Sequence, residues 1–240
     1  MGRVAALLVP LLVYYEVSDD LWRASNVWWD VAWLAFVLIP AVFGLVLVCL
    51  PLRTMPHLLL VGLGFVVLAV LLTILGWDVF ANFARLAATM FLAWWFLQFF
   101  ETLAWVVLVA AIIPWVDAYS VWRGPTKEIV NHHAHVFNVL SFAFPIPGVN
   151  AAANLGVPDL LFFALFLGAA GRFGLRVYWT WVCLVAALGG TIALTVWFNL
   201  NGLPALPGIS LGFLVPNADL LWKRLRGEPG VGDRANVSVG

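Results

Sequence analysis

The chain has 240 residues, of which 64% are hydrophobic and 10% charged, and its mean hydropathy is +1.03. Soluble globular domains carry about a quarter charged residues, so this composition excludes a soluble globule and describes a polytopic protein of the lipid bilayer. Formal net charge is zero and no basic block or polyacidic tail is present, which excludes nucleic acid as a partner class.

In chain order, residues 1–15 form an apolar run with Arg3 near its start and Pro10 inside it, closed by Glu16, Asp19 and Asp20. The run is short for the roughly 20 residues of a helical crossing and has no small-x-small cleavage site after it. It reads as a short or tilted first span. Residues 27–50 and 56–77 are clear spans, with Asp30 and Asp78 at their interfacial ends beside tryptophans. Residues 80–122 are almost unbroken apolar sequence, about twice one crossing. They must fold back, and the most polar point, residues 98–101, sets the corner between spans 80–99 and 102–122.

Residues 123–155 are the longest polar interruption, R-G-P-T-K-E-I-V-N-H-H-A-H followed by an apolar piece with turns, S-F-A-F-P-I-P-G. Spans resume at 156–174, 176–198 and 203–222, and residues 227–240 read as a polar, disordered tail. The expected fold is all-α, a transmembrane helical bundle of seven or eight spans. Its parts are residues 1–101, residues 102–222 with the loop 123–155, and a tail at 223–240. With every segment crossing, Arg3, Arg53, Arg172, Arg176, Lys223, Arg224 and Arg226 share one side, against Arg23, Arg123 and Lys127 on the other. That bias places both termini in the cytoplasm. Ten of the twelve cations are Arg in a chain rich in Ala, Val, Leu and Gly, a composition that suggests a prokaryotic plasma-membrane protein.

Two acids stand apart. Asp117 lies six residues before Arg123, about 9 Å inside the end of its span if helical, and Asp159 opens the next span. A carboxylate inside hydrocarbon costs about 2.5–3.5 kcal/mol on insertion scales, so such an acid is a functional candidate. Consecutive spans are antiparallel, so both acids reach one depth. Two close carboxylates share a proton: the ionised one takes a proton from water and the protonated one polarises a peptide carbonyl. Pro158 suits the first helical position, Asp159 sits at the positive end of its helix dipole, and Gly156 lets a bound chain approach. In the last span, Pro204-Ala205-Leu206-Pro207 resists an ordinary helical start because Pro207 restricts Leu206. Irregular backbone at membrane depth lines a cavity or is buried in protein.

Three features in order, Asp117 followed by A-x-S-V-aromatic, G-x-x-D at Gly156–Asp159, and Pro204-Ala205-Leu206, resemble the presenilin and signal peptide peptidase family of GxGD intramembrane aspartyl proteases. The resemblance covers residues 100–222. It implies that Asp117 and Asp159 are the catalytic pair and that Pro204, Ala205 and Leu206 shape the site and help position substrate. Gly156, Pro158 and Tyr119 are the further substrate-positioning candidates. The implied substrates are transmembrane helical peptides, small single-span proteins or remnant signal peptides, with no metal or organic cofactor. Val116 and Pro158 replace the family's Tyr and Gly before the two aspartates, and the family usually has nine spans.

Other readings compete. Asp117 alone could bond a neighbouring helix, and Asp159 alone could be an ordinary helix-start acid. Paired intramembrane acids and broken helices also serve proton-coupled transporters, although no internal repeat is visible. A non-catalytic binding protein is a further alternative, and a prepilin peptidase would place Lys soon after the second aspartate. His132, His133 and His135 read as a solvated loop rather than a metal site. Asp219, four residues before Lys223, reads as its ion-pair partner, and Arg85 as snorkelling to its nearer membrane face. Cys49 and Cys183 read as small buried hydrophobes.

Overall fold

The computed structural model describes residues 2–123, 141–200 and 203–226. The histidines 132, 133 and 135 and the tail 227–240 lie outside the described residues. The order is α1 (Gly2–Val17), α2 (Val27–Thr54), α3 (Leu58–Ile74), α4 (Asp78–Leu97), α5 (Leu103–Arg123), β1 (Ser141–Pro145), β2 (Ala152–Gly156), α6 (Val157–Arg172), α7 (Val177–Trp197) and α8 (Leu206–Leu225). A helix stands at each segment expected from hydropathy, and the corner between α4 and α5 falls on residues 98–102.

Four stretches, Val27–Thr54, Asp78–Leu97, Leu103–Ser120 and Val177–Trp197, are long and apolar enough to cross a membrane, compatible with a membrane protein. By length and composition these four of the expected seven or eight crossings qualify, and the other helices fall short of that criterion. The reason is physical: α1 and α6 have 16 residues each and rise about 24 Å, short of a hydrocarbon core of about 30 Å. The last helix, α8, is long enough but carries Pro216, Asn217 and Asp219 in its interior.

Successive helices alternate in direction, and arginines reveal it. The Arg53 guanidinium at the end of α2 donates to the Gly171 carbonyl, 3.1 Å away, near the end of α6. Arg172 donates to the Leu97 carbonyl that ends α4, and Arg224 of α8 donates to the Phe173 carbonyl. Each satisfies a carbonyl that a helix terminus leaves without an intrahelical donor. Thus α2, α4, α6 and α8 finish together, at an end that gathers the cations grouped by the sequence pattern.

At the centre is α6, whose eight consecutive residues from Phe163 to Ala170 are all buried. At 3.6 residues per turn, such a run has protein on every side. Helices α4, α7 and α8 pack on it, and α5 touches it. The fully buried Trp94 of α4 donates its indole N–H to the Ala164 carbonyl at 3.1 Å. A Cβ at Gly168 would lie 2.8 Å from Trp94 Cδ1. The Gly168→Val variant is therefore expected to lose about 1–3 kcal/mol of stability through overpacking. An unfolding midpoint in detergent equal to wild type would contradict this close approach. Small residues join the other helices in the same way: Gly189 of α7 against Ala35 of α2, and Gly212 of α8 against the Cys183 backbone.

The all-α expectation needs one correction. Strands β1 and β2 form an antiparallel hairpin, with Ser141 opposite Gly156 and Pro145 opposite Ala152. F-x-F in S-F-A-F-P carries the period of two that defines a strand. Phe142 and Phe144 point into the core, where Phe144 meets Phe43 and Phe142 meets Phe83. The other edge of β1 is closed by side chains at alternate residues. Arg85 donates to the Ser141 carbonyl (3.3 Å) and Tyr14 to that of Pro145 (2.8 Å). Asn82 both donates to the Ala143 carbonyl and accepts its N–H, each at 2.9 Å, and Tyr15 adds a bond to the same carbonyl at 3.0 Å. Buried strand edges require such partners, and a single amide here substitutes for a third strand. Arg85, expected to snorkel, is instead held between this hairpin and Thr73.

The hairpin turn is fastened to α1. Gly148 donates its N–H to the Ser18 carbonyl at 2.8 Å and has φ +69, with its Cα hydrogen facing the backbone of Leu21 and Arg23.

Candidate active site

Helix α5 lies at the margin of the bundle, with Trp105, Leu108, Ile112, Trp115, Val116 and Tyr119 on its exposed face. It packs mainly on α8. Asp117 lies on the packed side, half-buried, and its Oδ2 accepts the backbone N–H of Leu206 at 3.1 Å. Leu206 is the first residue of α8, and that N–H has no intrahelical acceptor. A carboxylate is the natural partner for such a donor.

This contact corrects the expected irregularity of the last span. Among the described residues of this stretch only 203–205 are non-helical, and α8 begins at Leu206 with Pro207 as its second residue. Proline in a first turn removes a donor that would have no acceptor, so Pro207 helps the helix start. Ala205 and Leu206 are buried beside Asp117, and Pro204 is half-buried.

Asp159 is the third residue of α6, behind Gly156 as N-cap, Val157 and Pro158. Pro158 is thus second in the helix rather than first, still within the turn whose N–H groups are free. The Asp159 carboxylate folds back towards Gly156. Its Oδ2 lies 3.4 Å from the place a Cβ on residue 156 would take, an ordinary contact distance. Gly156 has extended backbone (φ −63, ψ 149), so neither conformation nor space demands glycine there.

The charges of Asp117 and Asp159 act on each other. Each carboxylate sits at a helix N-terminus, Asp159 on α6 and Asp117 against α8, where the dipoles support negative charge. Among the described residues the one ion pair is Arg176 with Asp219, so neither aspartate is neutralised by a described cation.

Not every sequence candidate joins them. Tyr119 is 67% exposed, because two residues of helix turn it about 200° away from Asp117. Pro158 is exposed. The bonded group in Pro204-Ala205-Leu206 is the main-chain N–H of Leu206, which no side-chain motif announces. The hairpin that leads into Asp159, with Asn82, Tyr14 and Tyr15 fixing it, was likewise missed; the F-x-F alternation was its only signal.

No family model matches the chain, and no curated protein or solved structure matches it. Fold and site together define a bundle of apolar helices that holds two interacting carboxylates at one end of its buried central helix.

Proposed function

We propose that the chain is an intramembrane aspartyl protease of the presenilin and signal peptide peptidase type, with Asp117 and Asp159 as the catalytic pair. The observation that carries the reading is the bond from the Leu206 N–H to the Asp117 carboxylate, within charge range of Asp159. It joins two elements of the resemblance, the first aspartate and Pro-Ala-Leu, across 89 residues of sequence, and the aspartate of G-x-x-D feels the charge of the same carboxylate.

With one proton on the pair, the ionised carboxylate takes a proton from water. The protonated one donates to the scissile carbonyl, and the resulting hydroxide adds to the carbonyl carbon. Collapse of the tetrahedral intermediate returns a proton to the leaving nitrogen and frees two chains. The mechanism calls for no metal or organic cofactor. Helix α5 at the bundle margin offers a path from lipid to Asp117 for a single-span protein or remnant signal peptide. Side chains of α1 and α4 occupy the outer edge of β1, so an unwound substrate segment would meet the sheet along β2, which ends three residues before Asp159. In this reading all eight helices cross the plasma membrane of a prokaryote, the short ones in locally thinned lipid, with the basic end and the C-terminus in the cytoplasm.

The test is a pH series on cleavage of a labelled single-span peptide in liposomes. A shared proton requires a bell-shaped profile, because both fully protonated and fully ionised pairs are inactive. The rate is expected to ignore chelator. A rate that depends on added metal and vanishes with chelator would overturn the reading.

A further inference from the structure

At the end opposite the carboxylates, a groove of about 340 Å³ between α7 and α8 is lined by Arg176, Trp179, Cys183 and Pro216. The helices approach closely at Gly212, where an added Cβ would lie 3.0 Å from the Cys183 backbone. Beyond that contact they are joined on the inner side by buried Asn217, which donates to Thr180 Oγ1 at 2.8 Å and accepts the Arg176 N–H at 3.0 Å. The outer side is left open.

Of the lining residues Arg176 alone is charged. On α7, Trp179 and Cys183 share one helix face at i, i+4, with Arg176 just before the helix begins, and on α8 Pro216, Asp219 and Lys223 share a face at i, i+3, i+7. Asp219, expected to pair with Lys223, instead holds the Arg176 guanidinium at both oxygens, each 2.7 Å away. The planar fork of Arg matches a carboxylate in a way the single ammonium of Lys does not. With Pro216 as a further acceptor, three of the five guanidinium donors of Arg176 are engaged. Lys223 is exposed one turn on, and Arg226, three residues further, lies over the Trp222 ring at 4.2 Å. Cys183, expected to be buried, is half-buried in the wall.

The surrounding charge is strongly one-sided. Arg53, Arg172 and Arg224 bond main-chain carbonyls, which satisfies their donors without cancelling their charge. Among the described residues of this end, only Glu101 and Asp219 oppose the cations.

We propose that this groove binds an anionic phospholipid of the adjoining leaflet. Its phosphate is held by Lys223 and Arg226, whose charges no carboxylate among the described residues pairs, beside the Arg176–Asp219 ion pair; its glycerol ester region lies against the exposed Trp179 indole, and an acyl chain follows Cys183 and Pro216. Charge at the mouth selects the anionic headgroup, and the apolar wall selects a lipid over a soluble phosphate. The site stands apart from the protease reading, since binding is measured without cleavage.

The test is binding of fluorescently labelled phosphatidylglycerol to the full chain in mild detergent, against phosphatidylcholine of the same chains. Saturable binding that favours phosphatidylglycerol is expected. The double variant Lys223→Gln with Arg226→Gln is expected to weaken it roughly fivefold per charge, on the order of 25-fold in all. Cys183→Phe fills the wall without touching a charge and should abolish binding while the unfolding midpoint holds. Should it fail to fold, Trp179→Ala replaces it, with at least a tenfold loss expected. Equal affinity for both lipids, or wild-type binding by the double variant, would overturn the proposal. So would displacement of the lipid by equimolar glycerol phosphate.

Discussion

Replacing Asp117 by asparagine is expected to lower the rate of substrate cleavage by a factor on the order of 10⁴, the upper range for loss of a general acid or base, while the fold survives. The asparagine side-chain oxygen can still accept the Leu206 N–H that Asp117 Oδ2 accepts at 3.1 Å, so α8 keeps its start. What is lost is the ability to exchange a proton with Asp159. Asp159→Asn should behave alike, since asparagine has nearly the same shape and removes only the exchangeable charge, and the double variant should be little worse than either single one because the two act as a unit. Asp117→Ala is a poorer probe: it also removes a helix cap, at about 1 kcal/mol. If either asparagine variant retains more than a tenth of the wild-type rate, the pair is not the catalytic centre.

The second large effect lies away from the chemistry. A methyl group on Gly148 would lie 2.5 Å from both the Arg23 nitrogen and the Leu21 carbonyl oxygen. These are backbone atoms, which cannot rotate aside as a side chain would. The position also has φ +69, disfavoured for any residue with a Cβ. Gly148→Ala is therefore expected to cost about 2–4 kcal/mol, adding overpacking to backbone strain. Its structural consequence is release of the hairpin turn from Ser18 at the end of α1. Because β2 runs directly into the helix that carries Asp159, the loss should appear in cleavage as well as in the unfolding midpoint. A stable variant with full activity would show that the hairpin's fastening to α1 has no bearing on the site.

Hydropathy exposed the helices because each needs a long apolar run, and that requirement is local. The corner at residues 98–101 was legible for the same reason: polar groups mark where a continuous apolar stretch must reach water. The shared end of Arg53, Arg172 and Arg224 also followed from counting crossings, although their partners did not. Those partners are carbonyls at the ends of other helices, determined by how the bundle closes. Asp219 shows the limit of local spacing: Lys223 is one turn away in sequence, but Arg176 on the next helix presents the better-matched fork. The hairpin was hidden because five residues ending in proline give a weak strand pattern, and because its second edge is made by Asn82, 61 residues earlier in the chain. Pro207 was misjudged for a related reason. A proline breaks a helix or begins one according to its distance from the first turn, and that turn is set here by Asp117 on another helix. The two aspartates stood out because charge in an apolar run is conspicuous, whereas the main-chain donor that holds Asp117 leaves no trace in the sequence.

The most direct measurement is mass spectrometry of a defined single-span substrate after incubation with the purified full chain in liposomes. The account predicts two fragments whose masses sum to that of the substrate plus one water, with the cut inside or at the edge of the apolar segment, and neither fragment with the asparagine variants at position 117 or 159. An intact substrate across several sequences and pH values, alongside proton-driven transport that depends on the same aspartates, would contradict it.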